Sequence, residues 1–157
     1  MSLALYRIDD RLIHGQVVVG WGQPLHVSFI VLVDDEVSSS DWEQDLYRMG
    51  VPPEIEVVFA SVDRAAELFS TWEADARVGI LLVGDIDTAV ALANRIPQVQ
   101  RFNVGGVHHR AGRKERLRFV YLTDDEAGKL RALAARGVEV SAQDVPTARP
   151  VPIGEFT

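Results

Sequence analysis

The strongest constraint on the fold is the alternation of short apolar runs with longer segments of helical period. Seven runs of strand length occupy residues 4–8, 28–33, 55–60, 78–83, 101–104, 119–122 and 138–143. Segments with helical spacing lie between them at residues 15–21, 40–49, 62–73, 88–95 and 124–136. Strands that alternate with helices in this way are typical of a parallel sheet covered on both faces. We therefore predict an α/β fold, with three α/β/α layers around a mainly parallel central sheet of about seven strands.

Residues that favour helix starts, turns and loops support this division of the chain. Thr123 precedes three acidic residues and is a predicted N-cap, and Asp87 or Thr88 is the predicted N-cap of the fourth helix. The basic stretch at 110–118 contains a glycine and is predicted to form an exposed loop or hairpin. The C-terminal stretch at 149–153 is interrupted by prolines, so a long terminal helix is not expected.

Composition limits the classes of function. The 157 residues, 47% of them hydrophobic, are enough for one core and too few for two, so one domain over residues 1–157 is expected. The absence of cysteine excludes disulfides, thiol catalysis and thiolate metal sites. A net charge of −7 argues against general nucleic-acid binding. The apolar runs are far shorter than the roughly 20 residues of a membrane-spanning helix, and no signal peptide is recognisable, so a cytoplasmic location is expected.

The most informative segment is the loop at residues 7–17, RIDDRLIHGQV, between the first predicted strand and the first helix. Ligands of open parallel sheets bind at the carboxyl ends of strands, where helix N-termini favour anions. His14 lies at this position, and one nitrogen of its ring can attack phosphorus while the other donates to an acceptor that fixes the tautomer. Arg11 can bring its guanidinium against the oxygens of a phosphoryl group on that ring.

The two acidic residues of this loop are predicted to support the site rather than to face phosphate. A carboxylate that faced a phosphoryl group would repel it, so Asp9 and Asp10 are better assigned to orienting Arg11, holding His14 or bonding the loop backbone. The same residue types are also compatible with an Asx turn followed by an ordinary histidine cap. The residue types alone leave both interpretations open.

The loop resembles the active-site signature of a known family. Residues 7–17, followed by Trp21, are similar to the signature of the IIB component of the mannose/fructose/sorbose family of the bacterial sugar phosphotransferase system (PTS). The resemblance covers nearly the whole chain. It includes, in the same order and spacing, Asp35-Glu36-Val37, Asn103-Val104-Gly105-Gly106, Arg110 with Gly112, and residues 133–139.

The resemblance implies a function and a set of partners. In this family the histidine at the position of His14 takes phosphate from a phosphohistidine of a IIA domain. It then delivers the phosphate to a sugar bound by the membrane components IIC and IID. The implied activity is that of a protein-N(π)-phosphohistidine–sugar phosphotransferase without metal or cofactor, in which Arg11 is the phosphate-stabilising arginine. The family precedent also implies a homodimer that contacts the membrane only through its partner components.

Backbone groups near His14 complete the predicted site. Gly15, at the start of the first helix, is expected to help stabilise the phosphoryl group through the helix N–H groups, and Gln16 is a supporting residue. Gly105 and Gly106 either let the backbone approach the phosphate or merely permit a turn with positive φ.

The expected docking face and a histidine pair lie beside this motif. A site that receives another protein's phosphohistidine is expected to be open and fairly flat, with Ile13 and Trp21 as candidate apolar residues. His108 and His109 depart from the family pattern. They are compatible with metal ligands, with a rim around the phosphate, or with a solvated loop.

Two other functions remain as alternatives. A regulatory protein of a PTS branch that does not transport sugar would carry the same phosphohistidine, which would control a docking face instead of feeding a sugar. A nucleotide-using α/β enzyme is disfavoured, because the chain has neither the G-x-G-x-x-G pattern nor a Walker A lysine.

Overall fold

Most strands of the protein belong to one sheet. The computed structural model describes residues 2–157. Its strands are β1 Leu3–Asp9, β2 Phe29–Val33, β3 Glu56–Ala60, β4 Gly79–Val83, β5 Arg101–Gly106, β6 Lys114–Leu117, β7 Val120–Leu122, β8 Glu139–Ala142 and β9 Val151–Pro152. Seven of them form the central sheet in the order β3-β2-β4-β1-β5-β8-β9, and only β9 runs antiparallel to its neighbour. The predicted α/β fold with a mainly parallel sheet is confirmed.

The predicted number of sheet strands is right, but one member differs. The predicted strand at 119–122 corresponds to β7, which pairs with β6 in a separate antiparallel hairpin. That hairpin includes most of the basic stretch predicted as a loop or hairpin. The seventh place in the sheet belongs to β9, a two-residue strand that shows no alternation in the sequence. Pro152 is tolerated there because β9 lies at the sheet edge.

All five predicted helices are present, each within two residues of its predicted ends. They are a π-helix at Gln16–Trp21 and the α-helices α2 Asp41–Met49, α3 Val62–Glu73, α4 Ile86–Arg95 and α5 Asp124–Ala135. A short helix, α1 Asp35–Ser38, was not predicted, because four residues are too few to show a helical period. A 3₁₀ turn at Ile153–Glu155 closes the chain.

The helix caps confirm one prediction and correct another. The hydroxyl of Thr123 accepts the N–H of Glu126 at 3.0 Å, and the Glu126 carboxylate accepts the N–H of Thr123 at 2.9 Å, which forms a capping box. The cap of α4 is Asp85, whose carboxylate accepts the N–H of Thr88 at 2.6 Å. The prediction of Asp87 or Thr88 is wrong, because the helix begins at Ile86, two residues earlier than its apolar period indicates.

Helices cover both faces of the sheet, as predicted. Helices α3, α4 and α5 pack on one face, and the π-helix packs on the other with α1. The central strands β2 and β4 are buried along their whole length. Each fully buried aliphatic side chain contributes about 1.5–3 kcal/mol relative to exposure, so these strands contribute strongly to the stability of the fold. Within residues 2–157, none of the helices has the length and apolar character needed to cross a bilayer.

The strand order places the loop after β1 at a switch point of the topology. The chain leaves β1 towards β2 on one side and leaves β5 towards β8 on the other. The loops after these neighbouring strands therefore diverge and open a crevice at the carboxyl edge of the sheet. Asp9 pairs with Gly106 at this edge, and the N–H of Asp10 donates to the Gly106 carbonyl at 2.9 Å.

Candidate functional site

A tight turn connects β1 to the π-helix and sets the position of His14. The N–H of Leu12 donates to the carbonyl of Asp9 at 3.0 Å, and Leu12 has a positive φ of 61°. A non-glycine residue rarely adopts this conformation. The Leu12 side chain is seated against Gly84, where a Cβ would lie 2.5 Å from Leu Cδ2. The carbonyl of His14 then accepts the first N–H groups of the helix.

The two ring nitrogens of His14 lie in different surroundings. Nε2 lies 3.3 Å from Oδ2 of Asp9, and Nδ1 accepts the backbone N–H of Gln16 at 3.2 Å. These contacts favour the neutral tautomer with its proton on Nε2 and a lone pair on Nδ1. The side chain is 20% exposed, so the ring is accessible at the edge of the sheet while Nε2 points inwards.

Asp9 organises both predicted functional side chains. Its carboxylate is fully buried; Oδ1 accepts the N–H and the Nε–H of Arg11 at 3.1 and 3.0 Å, and Oδ2 accepts from Nη2 of Arg11 at 2.8 Å. Burial favours the protonated acid, but the contacts with His14 and Arg11 outweigh it and hold the pKa of Asp9 well below its usual range. The carboxylate therefore fixes Arg11 and faces the ring of His14 as an anion.

Asp10 points away from this group. One of its carboxylate oxygens accepts the N–H of His108 at 2.7 Å, the other contacts the ring of His108, and Arg113 lies 4.0 Å away. The ring of His109 packs edge-on against Tyr121. Asp10 thus ties the loop after β1 to the loop after β5. No group of three potential metal-ligating side chains occurs within the described part of the chain.

The two glycines at the end of β5 provide space for side chains of β1. A Cβ at Gly105 would overlap the guanidinium of Arg7, and one at Gly106 would lie 3.0 Å from Asp9 Oδ1 and 3.1 Å from Arg11 Nη2. Both glycines belong to the strand, and neither has a positive φ. The alternative of a positive-φ turn is therefore wrong. Gly106 lies close to Arg11, as predicted.

Arg7 is a site residue that the sequence did not identify. It is fully buried; Nη1 donates to Oδ1 of Asn103 at 2.6 Å and to the carbonyl of Gln143 at 3.0 Å. Nη2 donates to the carbonyl of Asp144 at 3.1 Å and lies 3.5 Å from Oδ2 of Asp9. Burial lowers the pKa of Arg7 to about 10, although the Asp9 charge opposes this. Arg7 could have been placed beside Asp9 from the sequence, because residues i and i+2 of a strand share a face.

The loop after β8 closes the site from the other side. Asp144 accepts the side-chain amide of Gln16 on its carboxylate at 3.0 Å and the indole N–H of Trp21 on its carbonyl at 3.3 Å. Gly15, between His14 and Gln16, borders open space. Trp21 and Ile13 are buried, so the prediction that they form an apolar docking face is wrong. Both side chains are used to pack the π-helix against the sheet.

Comparisons with known proteins agree with this architecture. Residues 3–157 match the family model of the PTS system sorbose subfamily IIB component. The N-acetylgalactosamine-specific phosphotransferase enzyme IIB component 1 of Escherichia coli K12 is 33% identical over 92% of each chain. The PTS system mannose-specific EIIAB component of the same organism is 30% identical over 94% of this chain and 46% of its own length.

A solved structure shows the same fold. The crystal structure of manxB from Thermoanaerobacter tengcongensis superposes with a TM-score of 0.87, at 30% identity, over 98% of this chain and 93% of that one. The family match spans the loop with His14, the glycines of β5 and the loop after β8. The chain therefore belongs to the mannose/sorbose family of PTS IIB components, a family of sugar-specific phosphotransfer.

Proposed function

We propose that the protein carries a phosphoryl group on Nδ1 of His14, between a IIA domain and a sugar held by the membrane components IIC and IID. The observation that carries this proposal is that the two ring nitrogens of His14 have different partners. Asp9 occupies the Nε2 side at 3.3 Å, which leaves the lone pair on Nδ1 as the nucleophile. This is a protein-N(π)-phosphohistidine–sugar phosphotransferase activity.

In the loading step, the lone pair of Nδ1 forms a bond to phosphorus while the bond from phosphorus to the donor imidazole breaks. The electron pair of the broken bond returns to the donor nitrogen. The His14 ring gains positive charge in this step, because its Nε2 keeps a proton, and the Asp9 carboxylate stabilises that charge. In the unloading step a sugar hydroxyl oxygen attacks phosphorus, the P–Nδ1 bond breaks with its electron pair returning to Nδ1, and a base of the membrane complex accepts the hydroxyl proton. Both steps require reacting atoms at roughly 3–3.5 Å in line.

Arg11 and the start of the helix would neutralise the transferring group. Two nitrogens of Arg11 bind Asp9, which leaves Nη1 for phosphoryl oxygens, and its side chain is 35% exposed at the rim. The Gln16 N–H, which now donates to Nδ1, would donate to a phosphoryl oxygen once Nδ1 is substituted. Gly15 borders open space beside it, so an oxygen of the group can approach the backbone there.

The proposed partners follow from the family and from the openness of the site. The mannose-specific relative is an EIIAB component, which supports a IIA domain as the donor. Because His14 lies at the sheet edge rather than in a closed cavity, a second protein's phosphohistidine can reach it. We propose that the protein acts in the cytoplasm as a homodimer and contacts the membrane only through IIC and IID.

Reconstituted phosphotransfer tests this proposal. The protein is incubated with phosphoenolpyruvate, the general PTS proteins and a cognate IIA domain, and intact-mass spectrometry follows addition of one phosphate. We expect an acid-labile, alkali-stable phosphate in the wild type, none in His14→Ala, and normal loading in His109→Ala, an exposed histidine outside the site. Addition of IIC, IID and sugar should discharge the phosphate. Loading of His14→Ala to the wild-type level would refute the proposal.

A further inference from the structure

A fully buried arginine that the transfer step does not use lies beneath the candidate site. Arg7 and Asp9 project from the same face of β1, and the guanidinium lies 3.5 Å from Oδ2 of Asp9. Arginine is seldom fully buried unless it is paired, because its charge is costly to remove from water. The burial of Arg7 therefore calls for a functional reason.

The surroundings of Arg7 are shaped to hold a guanidinium in one orientation. Gly105 lies against one side, where any Cβ would overlap the group. The ring of Trp21 covers it at 4.8 Å from the ring centroid to Cζ. Its hydrogen bonds go to an amide oxygen, on Asn103, and to two backbone carbonyls, all of them neutral acceptors. The cradle thus fixes the arginine without neutralising it.

At the buried centre of the site, two guanidinium groups contact one carboxylate. Asp9 is the carboxylate that Arg7 and Arg11 share, and it lies closer to Arg11, at 2.8 Å. The two other acids nearby lie further from this centre, and Asp10 shares Arg113 with Glu126. Asp10 lies beside Arg113 and the ring of His108, and Asp144 lies 3.5 Å from Arg118. The guanidinium groups of Arg7 and Arg11 therefore both face the Asp9 carboxylate below the His14 ring.

We propose that Arg7 is a positioning residue that holds Asp9 under His14 and supplies the buried positive charge that stabilises the phosphorylated ring. The inference rests on the proposed function, since it assigns a role in the phosphorylated state. A phosphoryl group adds a charge of about −1.5 to −2, which the guanidinium groups of Arg7 and Arg11 partly offset. Arg7 and His14 contact the same oxygen, so the guanidinium lies within about 7 Å of the ring and acts through the fully buried Asp9 carboxylate.

The test compares Arg7→Met with Arg7→Lys. Methionine has similar length and no charge, whereas lysine keeps the charge and loses the planar fork. The equilibrium constant for loading from phospho-IIA is measured, together with the hydrolysis half-life of the phosphoprotein. We expect Arg7→Met to lower that equilibrium constant about tenfold or more, and Arg7→Lys to restore it to within about threefold of the wild type. A folded Arg7→Met protein with the wild-type equilibrium constant would overturn the inference.

Arg101→Met is the matched control. Arg101 begins β5 at the opposite edge of the sheet, and its guanidinium lies over the Tyr6 ring at 5.3 Å and donates to the Leu3 carbonyl. This substitution removes a partly buried, stacked arginine without touching the site. Its loading equilibrium should equal that of the wild type, and a loss as large as in Arg7→Met would show that any buried arginine has this effect, which would overturn the assigned role.

Two further measurements keep the inference testable if Arg7→Met does not fold or if the wild type is not phosphorylated. Gly105→Ala displaces the guanidinium without removing its charge from the chain, so it should also lower the loading equilibrium. In the unphosphorylated protein, ¹⁵N NMR reports the His14 tautomer. We expect the Nε2–H form in the wild type and a mixture in Gly105→Ala, because Asp9 is no longer held. If Gly105→Ala is loaded as well as the wild type and its His14 tautomer is unchanged, the role of Arg7 is refuted. If the wild-type protein itself is not loaded, the proposed function is refuted instead.

Discussion

Replacing Asp9 by asparagine removes the single negative charge that Arg7, Arg11 and His14 share. The amide is nearly isosteric with the carboxylate, so the change acts on charge rather than on volume. One of the two oxygens becomes an NH₂ group that faces guanidinium donors. Arg7 is fully buried and cannot move into water to compensate.

The magnitude follows from the burial of the partners. Removing one partner of a buried ion pair costs about 3–5 kcal/mol, because the remaining charge is left uncompensated. The side chain of Arg11 is 35% exposed and is partly screened by solvent, so the lower end of this range applies, about 3 kcal/mol. For a chain of 157 residues, this corresponds to a melting temperature about 6–12 °C lower.

The assay is thermal or urea unfolding of wild type and Asp9→Asn at several pH values. A carboxyl group whose pKa is lowered by folding stabilises the protein fully above its unfolded pKa, about 3.9, and loses that contribution as the pH falls towards its folded pKa. The difference between the two proteins should therefore be constant between about pH 5 and 7 and shrink below about pH 4. Asp63→Asn, at an exposed ion pair with Arg95, is the control and should change stability by less than about 1 kcal/mol. Equal melting temperatures of wild type and Asp9→Asn at pH 7 would refute the argument.

Three further substitutions separate chemistry from stability. Arg11→Lys should slow transfer from phospho-IIA at least about tenfold in quench-flow measurements, because lysine cannot bind Asp9 and phosphate with one planar group. Its melting temperature should be nearly unchanged, and wild-type kinetics would show that Arg11 takes no part in transfer. Gly106→Ala should lower the unfolding free energy by about 1–3 kcal/mol and slow transfer, since its Cβ crowds Asp9 and Arg11. Gly154→Ala is the control and should change neither quantity, because a Cβ at Gly154 has no neighbouring atom within 4 Å. Thr123→Ala should cost about 1 kcal/mol through loss of the capping box and leave the transfer rate unchanged; a slower transfer would contradict the separation.

Hydrophobic patterning was sufficient to predict the sheet and the main helices. The central strands are continuous apolar runs buried along their whole length, and the helices repeat their apolar residues on the face that they bury. Patterning failed for β9 and α1, which are too short to show any repeat. Edge pairing of β9 depends on β8 being available beside it, and no local pattern records that. The N-cap of α4 was missed for a related reason, since Ile86 is buried before the apolar period becomes clear.

The loop after β1 could be assigned to the site because strand, turn and helix follow one another locally. The different orientations of Asp9 and Asp10 were also available in principle, since alternation along β1 places Asp9 on the face of Arg7 and turns Asp10 away. The partners of Arg7 could not be predicted, because Asn103 and Gln143 lie 96 and 136 residues further along the chain. Their approach depends on the order of strands, which the sequence does not state.

The burial of Ile13 and Trp21 shows a second limit of sequence reasoning. Apolar residues next to a functional loop are equally compatible with a docking surface and with the underside of a helix. Here the π-helix directs Trp21 towards Arg7 and Asp144. We therefore expect the surface for the proposed IIA domain to be formed by other residues around His14, among them the exposed part of Arg11.

The position of the phosphate on the histidine ring tests the central claim most directly. The protein, labelled with ¹⁵N in its histidines, is loaded from phosphoenolpyruvate through the general PTS proteins and IIA, and the ring nitrogens of His14 are observed by NMR with coupling to ³¹P. Because Asp9 occupies the Nε2 side at 3.3 Å, we expect one phosphate per chain, bonded to Nδ1 of His14, with the proton retained on Nε2. A phosphate on Nε2, or on any other residue, would contradict the account.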